Sequence, residues 1–333
     1  MDWQVLLGFL PSYFLMIYLS IPFHELGHLA AGLLSGYRFN SFRVLSWIWL
    51  QKEGKIHFTK SKNMSFIAGQ CLMAPTDNEE DFKFIFYNLG GVLVNFIIAV
   101  LSFVFLLGQR NAILFGIFWG ICIANLFLGL VNIIPFTSND GRNILNCLKS
   151  RRTKHGMYMT LKTNEEMSKG KRYRDYTEQD FQLYPDDDFG NDMVFALAAL
   201  ESARLYDLGA YEKSLAIFDS INTKKLSKLY QNSIQAEYLY HALVHNPDFE
   251  KAKEIYQNSE LQKFLQMSLP TNFRIRIAYE YFINQNKEKT ENLFTSAYAF
   301  LDSYPVMGVA ASERDYLDYL KEKIRLHEMD TSR

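Results

Sequence analysis

Apolar stretches that lack charged residues dominate the first half of the chain. No Asp, Glu, Lys or Arg lies between Asp2 and Glu25, and the segments 84–107 and 112–136 contain none in 24 and 25 residues. A helix needs roughly 20 residues to cross a hydrocarbon core about 30 Å thick. Soluble helices of that length normally show a polar face, which these stretches lack. The pattern predicts three membrane spans, at about 3–34, 84–107 and 112–148.

The second half of the chain is polar and repeats itself. The segment Tyr-Glu-Lys-Ser-Leu-Ala-Ile-Phe at 211–218 recurs at 249–256 and more faintly at 287–294, at intervals of 38 residues. Each copy follows another helical stretch, so the pattern predicts helix pairs that resemble tetratricopeptide repeats, whose unit is about 34 residues. We therefore predict a membrane domain at 1–150, a linker at 151–191 and a helical repeat domain at 192–333.

Charged residues are unevenly distributed between these parts. Residues 1–150 contain 18 of them and the rest of the chain 53, while the net charge is −1. This balance excludes a strongly basic nucleic-acid-binding protein. Lysines and arginines concentrate in the loop at 35–83 and just after the third span, whereas the opposite side has Arg110 alone. The positive-inside rule then predicts a multi-pass protein of the cell membrane with a cytosolic loop and a cytosolic C-terminal domain.

The first predicted span contains ionisable residues, which are rare in membrane helices unless they have a function. His24-Glu25-Leu26-Gly27-His28 is an H-E-x-x-H motif. On a helix His24 and His28 lie at i and i+4 on one face, where they can bind one zinc ion. Glu25 beside them can act as a general base, and a hydrolytic zinc site needs a third protein ligand as well.

A candidate for the third ligand stands where the third predicted span ends. Pro135 interrupts helical hydrogen bonding and Gly141 permits an irregular backbone, so Asp140 can turn toward a partner helix. The first and third spans end on the same side of the membrane, which puts Asp140 at the depth of the histidine pair. The alternative for Asp140 is a helix cap or a solvated turn just outside the bilayer.

Asn95 lies in the second predicted span, one turn after Gly90 and Gly91. Glycines in a membrane helix usually serve close packing, and an asparagine often hydrogen-bonds a neighbouring helix. The functional alternative puts the Asn95 amide in the site, where it holds a substrate carbonyl or stabilises an oxyanion.

Taken together, these motifs resemble the site-2 protease family of intramembrane zinc metalloproteases. The core spans of that family carry H-E-x-x-H, G-P-x-x-N and N-x-x-P-x-x-x-x-D-G. The chain matches these motifs at His24 to His28, at Gly91 and Asn95 with Val92 in place of proline, and at Asn132, Pro135, Asp140 and Gly141. The resemblance covers about 15–148, and the compact three-span core is similar to bacterial members.

The resemblance implies a role for each site residue. His24, His28 and Asp140 would hold Zn²⁺, Glu25 would activate water and Asn95 would assist in substrate binding. The family also commonly has a β-hairpin after the first span that pairs with an unwound substrate. The stretch 39–61, with apolar residues on both sides of Glu53-Gly54, suits such a hairpin and equally suits an interfacial aromatic anchor.

The overall prediction is a mainly α protein. It has a three-helix transmembrane metalloprotease core with a small β-hairpin insertion, followed by a cytosolic, tetratricopeptide-like helical domain. The predicted function is hydrolysis of a peptide bond within or near a membrane segment of a protein or peptide substrate. The repeat domain would recruit substrate or a cytosolic protein partner. The alternative is a non-catalytic, membrane-anchored adaptor with a degenerate protease core.

Overall fold

The computed structural model describes residues 2–52, 54–60, 68–136 and 139–331. The fold is mainly helical, with 72% of the residues in helices and one small antiparallel sheet within the described part. The chain divides into two compact units, Met1–Lys162 and Thr163–Arg333. Mainly helical architecture with a small sheet agrees with the predicted fold class.

The first unit is built on α1 (Trp3–Leu34), α2 (Phe84–Leu107) and α3 (Ala112–Ile133). Within the described residues, these are the helices long and apolar enough to cross a membrane. Their outward side chains are apolar and exposed, as Phe14 and Leu101 illustrate with 61% and 54% of their surface accessible. Such a surface suits hydrocarbon, and the first two predicted spans agree with α1 and α2.

The helices of the first unit approach closely at glycines. A Cβ atom on Gly27 of α1 would lie 2.3 Å from the carbonyl oxygen of Gly90 in α2, and the reverse substitution would clash equally. Only glycine permits this distance between two backbones. The crossing lies between His24 and His28 along α1, so it sets the position of the histidine pair against α2.

The third predicted span is too long. Its helix ends at Ile133, and a separate helix α4 (Asp140–Lys149) follows. Pro135 lacks a backbone N–H and cannot continue the ladder of α3, while Asn139 starts α4 anew by accepting a hydrogen bond from the N–H of Arg142.

The predicted linker at 151–191 also differs from the structure. It contains a full helix, α5 (Arg151–Ser168), and 3₁₀ turns at Tyr173–Asp175 and Glu178–Phe181. The polar composition that suggested a linker belongs instead to an amphipathic helix, which buries Met157, Tyr158 and Leu161 on one side.

A four-stranded antiparallel sheet follows α1. Its strands are β1 (Arg38–Val44), β2 (Trp47–Lys52), β3 (Lys55–Lys60) and β4 (Gly69–Ala74), in the order β3-β2-β1-β4. The predicted hairpin stretch 39–61 covers most of β1 as well as β2 and β3, and β2 and β3 join at Gly54, where φ is +75°. Glu53 and Ser61, which belong to that prediction, lie outside the described residues. Sequence patterning missed β4, the strand that packs against α1.

The second unit consists of helices around apolar clusters, a larger one from Tyr206 to Ile324 and a smaller one that includes Phe195 and Phe218. They are α6 (Asp192–Asp207), α7 (Tyr211–Asp219), α8 (Lys228–Tyr240), α9 (Phe249–Tyr256), α10 (Ser259–Leu265), α11 (Pro270–Phe282), α12 (Lys287–Asp302) and α13 (Met307–Thr331). Helices α7, α9 and α12 begin at the first residues of the three repeated segments, and α6, α8 and α11 pack against them in turn. The 38-residue period therefore reflects helix pairs, whereas their tetratricopeptide-like identity stays a prediction.

Candidate metal centre

His24 and His28 project from one face of α1 with their Nε2 atoms 3.1 Å apart. Gly91 of α2 makes room for the first ring, because a Cβ atom there would lie 2.5 Å from Nε2 of His24. The helical i, i+4 spacing and the glycine of the neighbouring helix thus bring two imidazole nitrogens to one point.

Asp140 reaches the same point from the start of α4. Its Oδ2 atom lies 3.2 Å from Nε2 of His24 and 3.4 Å from Nε2 of His28. Among the residues that the structure describes, these three side chains form the cluster whose ligand atoms could share a metal ion. The sequence-based prediction that topology would bring Asp140 to the histidine pair agrees with this geometry.

Asn139 holds Asp140 in this position. Its side-chain amide donates hydrogen bonds to the carbonyls of Val131 and Ile134, at 2.6 and 2.8 Å, while its Oδ1 caps α4. The carbonyls at the broken end of α3 are thereby satisfied, and α4 is tied to α3 at its first turn. Sequence reasoning missed this residue, although an asparagine before Asp-Gly is a recognisable N-cap.

The three ligand atoms fit a zinc ion. In a tetrahedral site with ligands about 2.0–2.1 Å from the metal, neighbouring ligand atoms are about 3.3 Å apart. The observed separations of 3.1, 3.2 and 3.4 Å lie on both sides of that value. Oδ2 of Asp140 is buried and makes no hydrogen bond in the described residues. Because buried acceptors are costly when unpaired, a cation between these atoms would stabilise all three.

The far nitrogen of each histidine has its own hydrogen-bond partner. Nδ1 of His28 lies 2.8 Å from the backbone carbonyl of Tyr87, and Nδ1 of His24 lies 2.7 Å from Oδ1 of Asn95. Both partners accept, so in a neutral ring Nδ1 carries the proton and Nε2 presents a lone pair to the cluster. Metal-binding histidines typically have such a partner, which orients the ring.

Glu25 lies beside the cluster and against β4. Its side chain is close enough to both histidines and Asp140 to interact electrostatically, and its carboxylate accepts a hydrogen bond from the backbone N–H of Cys71. The hydroxyl of Tyr87 donates to the carbonyl of the same Cys71 at 2.6 Å. A Cβ atom on Gly69 would lie 2.7 Å from Oε1 of Glu25, so β4 needs glycine there to pass the carboxylate.

Asn95 lies on the Nδ1 side of the His24 ring, opposite the Nε2 atom that faces the cluster. It is fully buried, and its amide nitrogen donates to Oδ1 of Asn125 at 3.1 Å while its oxygen faces the histidine ring. Both ends of the amide are therefore engaged within the protein. This placement suits positioning of His24, whereas the sequence suggested either helix packing or contact with the substrate.

Asn132, the first residue of the third motif, donates to the carbonyl of Leu128 in its own helix.

The protein does not fully enclose the centre. The side chains of His24 and Asp140 keep 13% and 14% of their surface accessible, and Glu25 keeps 9%. A hydrolytic site needs such an opening, because three protein ligands leave the fourth position of a tetrahedral zinc ion to water or substrate.

Residues 12–115 match the model of peptidase family M50. This segment begins within α1, includes His24, Glu25, His28 and Asn95, and ends within α3. Asp140 lies beyond it, so the assignment of the third candidate ligand depends on the geometry. Searches of curated proteins and of solved structures found no match. Similarity to this family suggests a membrane metalloprotease and supports the resemblance drawn from the motifs.

Proposed function

We propose that the chain is an intramembrane zinc endopeptidase that cleaves a peptide bond within or near a membrane segment of a protein or peptide substrate. The observation that carries the proposal is the convergence of His24, His28 and Asp140 from two helices, with Glu25 beside them. Similarity of residues 12–115 to peptidase family M50 supports the same reaction class.

In this proposal each residue of the centre has a separate task. His24, His28 and Asp140 would hold zinc, which as a Lewis acid would polarise a peptide carbonyl and lower the pKa of a water molecule. Glu25 takes a proton from the attacking water and passes it to the leaving amine. Asn95 orients His24 through its amide oxygen, while its amide nitrogen donates to Asn125.

A substrate helix hides its carbonyls in backbone hydrogen bonds and must become extended before it can be cleaved. A sheet edge could hold the extended chain by strand addition. The predicted stretch 39–61 includes most of β1, which pairs with β4, whereas its outer strand β3 is three strand intervals, or roughly 14 Å, from β4. We propose that β4 guides the substrate, and that its Cys71 contacts with Glu25 and Tyr87 must then be released.

The proposed orientation places the sheet and the second unit in the cytosol, following the distribution of Lys and Arg. The second unit would then recruit a substrate or a cytosolic protein partner through its helix pairs.

The test compares membranes of cells that produce the wild-type protein with membranes of cells that produce Glu25→Gln. New protein N-termini are labelled and identified by mass spectrometry. We expect termini that arise within or next to a membrane segment with the wild-type protein and disappear with Glu25→Gln. Identical termini in both samples would favour the non-catalytic adaptor instead.

A further inference from the structure

A chain of buried polar side chains runs from the candidate metal centre into the middle of the three membrane helices. Ser20, Asn95 and Asn125 are each 0% exposed. The hydroxyl of Ser20 donates to Oδ1 of Asn125 at 2.9 Å, the amide of Asn95 donates to the same oxygen at 3.1 Å, and Oδ1 of Asn95 faces His24. This row of hydrogen-bonded side chains links α1, α2 and α3.

The hydrogen bonds between these side chains run in one direction, with each group donating to the next, and this direction is set at the end farthest from His24. The amide nitrogen of Asn125 lies 3.0 Å from the backbone carbonyl of Ile121, a group that can only accept. The NH₂ group of Asn125 must face that carbonyl, so Oδ1 of Asn125 must face Asn95. The NH₂ group of Asn95 therefore faces Asn125, and its oxygen must face Nδ1 of His24.

This direction decides which nitrogen of His24 carries the proton. If the amide of Asn95 were turned over, its NH₂ group would face Nδ1, and the proton of a neutral ring would have to lie on Nε2. A protonated Nε2 has no lone pair for a metal. His28 needs no such relay, because its Nδ1 meets the backbone carbonyl of Tyr87 directly.

We propose that Asn125 is a positioning residue that acts through Asn95 to keep Nε2 of His24 free for zinc. This inference rests on the proposed zinc site. The competing role for Asn125 is simple attachment of neighbouring membrane helices by hydrogen bonds.

Substitution of Ser20 distinguishes these two roles of Asn125. Its hydroxyl donates to Asn125 and contributes to attachment of α1, but it does not determine which way either amide faces. Removal of the Ser20 hydroxyl should therefore weaken helix attachment and leave His24 unchanged, whereas removal of the Asn125 amide should affect both.

The first experiment measures zinc affinity by competition with a chelator, using the full-length protein in detergent. Loss of a hydrogen-bond partner behind a metal ligand typically weakens metal binding by about 10- to 100-fold. We expect a loss of this size for Asn125→Leu, a smaller one for Asn125→Asp, which keeps the acceptor oxygen, and none for Ser20→Ala. Ser12→Ala is the matched control, because the Ser12 hydroxyl bonds only carbonyls of its own helix in the described structure.

A rescue variant tests the direction of these hydrogen bonds itself. A carboxylate accepts through either oxygen, so Asn95→Asp should hold the proton on Nδ1 of His24 without help from Asn125. The double variant Asn95→Asp/Asn125→Leu should recover most of the zinc affinity that Asn125→Leu loses. Failure to recover it in a folded double variant would overturn the proposal, because helix attachment alone predicts no rescue.

The second experiment needs no metal. ¹⁵N chemical shifts of the neutral His24 ring, assigned by comparison with His24→Gln, report which nitrogen is protonated in the metal-free protein. We expect Nδ1–H in the wild-type protein and in Ser20→Ala, and a mixture in Asn125→Leu. Should Asn125→Leu not fold, Asn125→Asp carries the test, and a mixed tautomer in that folded variant overturns the proposal.

The outcomes separate this inference from the proposed function. Wild-type zinc affinity and an unchanged His24 tautomer in Asn125→Leu would overturn the positioning role and leave the peptidase proposal intact. Conversely, the expected order of zinc affinities without any cleavage that depends on Glu25 would support the positioning role and contradict the peptidase.

Discussion

Both units of the chain bury ionisable side chains, but they do so in opposite ways. In the first unit the acceptor atoms of His24, His28 and Asp140 face one another within 3.4 Å. In the second unit Arg274, which is 3% exposed, faces partners of opposite charge, with Glu237 at 2.9 Å and Glu313 at 3.3 Å.

The difference separates a candidate binding site from a structural network. Arg274 also lies over the rings of Tyr206 and Tyr240, at 4.8 and 4.3 Å, so acidic and aromatic residues of the second unit balance the charge of its cation. While both imidazoles are neutral, the facing atoms of the first unit cannot satisfy one another, because each Nε2 and Oδ2 of Asp140 then only accepts. Buried groups that share one sign of partial charge therefore suit a shared cation.

Glu25→Gln should produce the largest effect in the first unit. The amide cannot take a proton from water, so we expect cleavage to fall by about 10²- to 10⁴-fold. The assay follows the product termini identified in membranes. Zinc content should stay at the wild-type level, because Glu25 is not one of the three proposed ligands, and a loss of zinc would contradict its separate role.

Asp140→Asn tests the ligand set itself. The neutral amide is a weaker ligand than a carboxylate, and we expect zinc that is bound stoichiometrically in the wild-type protein to be largely lost after dialysis. Elemental analysis of the purified protein measures this. His24→Ala should behave in the same way, and unchanged zinc content in either variant would refute the assignment.

Arg274→Met breaks the network of the second unit. Removal of one partner leaves Glu313 buried and uncompensated, so we expect a loss of about 3–5 kcal/mol in the stability of this unit. Hydrogen exchange of peptides from 192–331 measures the loss. Arg325→Met, which removes an exposed pair with Glu322, is the matched control and should change exchange little. Zinc content should be normal in both variants.

His245 makes the stability of the second unit depend on pH. Burial and the neighbouring charge of Arg274 lower the pKa of His245 to about 3, and its Nε2 meets the hydroxyl of Tyr206 at 2.8 Å. In the unfolded chain the pKa is about 6.5, so the unfolded state binds the extra proton between these values. Stability should fall as the pH drops below about 6.5, and hydrogen exchange should show a smaller fall in His245→Gln.

Local patterns accounted for much of the fold and of the site. Charge-free stretches predicted α1 and α2, and the i, i+4 spacing of His24 and His28 predicted a shared ligand position, because helical geometry depends only on neighbours in sequence. The 38-residue period likewise marked the first residues of α7, α9 and α12. The third span was predicted too long, since apolar residues resume after Pro135 in what is a separate helix.

Long-range contacts could not be read in this way. Asn95 and His24 are 71 residues apart in sequence, and Ser20 and Asn125 are 105 apart. Nothing in the local pattern distinguishes an asparagine that packs helices from one that orients a ligand. The packing of β4 on Glu25 was missed for the same reason, because it depends on which sheet edge meets α1.

The sequence by itself determined the candidate chemistry of this protein, because H-E-x-x-H in an apolar helix already places two imidazoles and a carboxylate on adjacent positions. The tertiary structure decided how that chemistry is held. It brought Asp140 within 3.4 Å of both histidines and gave the buried amides a single direction. The physical reason is that hydrogen-bond direction is a property of a whole connected chain of donors and acceptors, which exists only after the helices have packed.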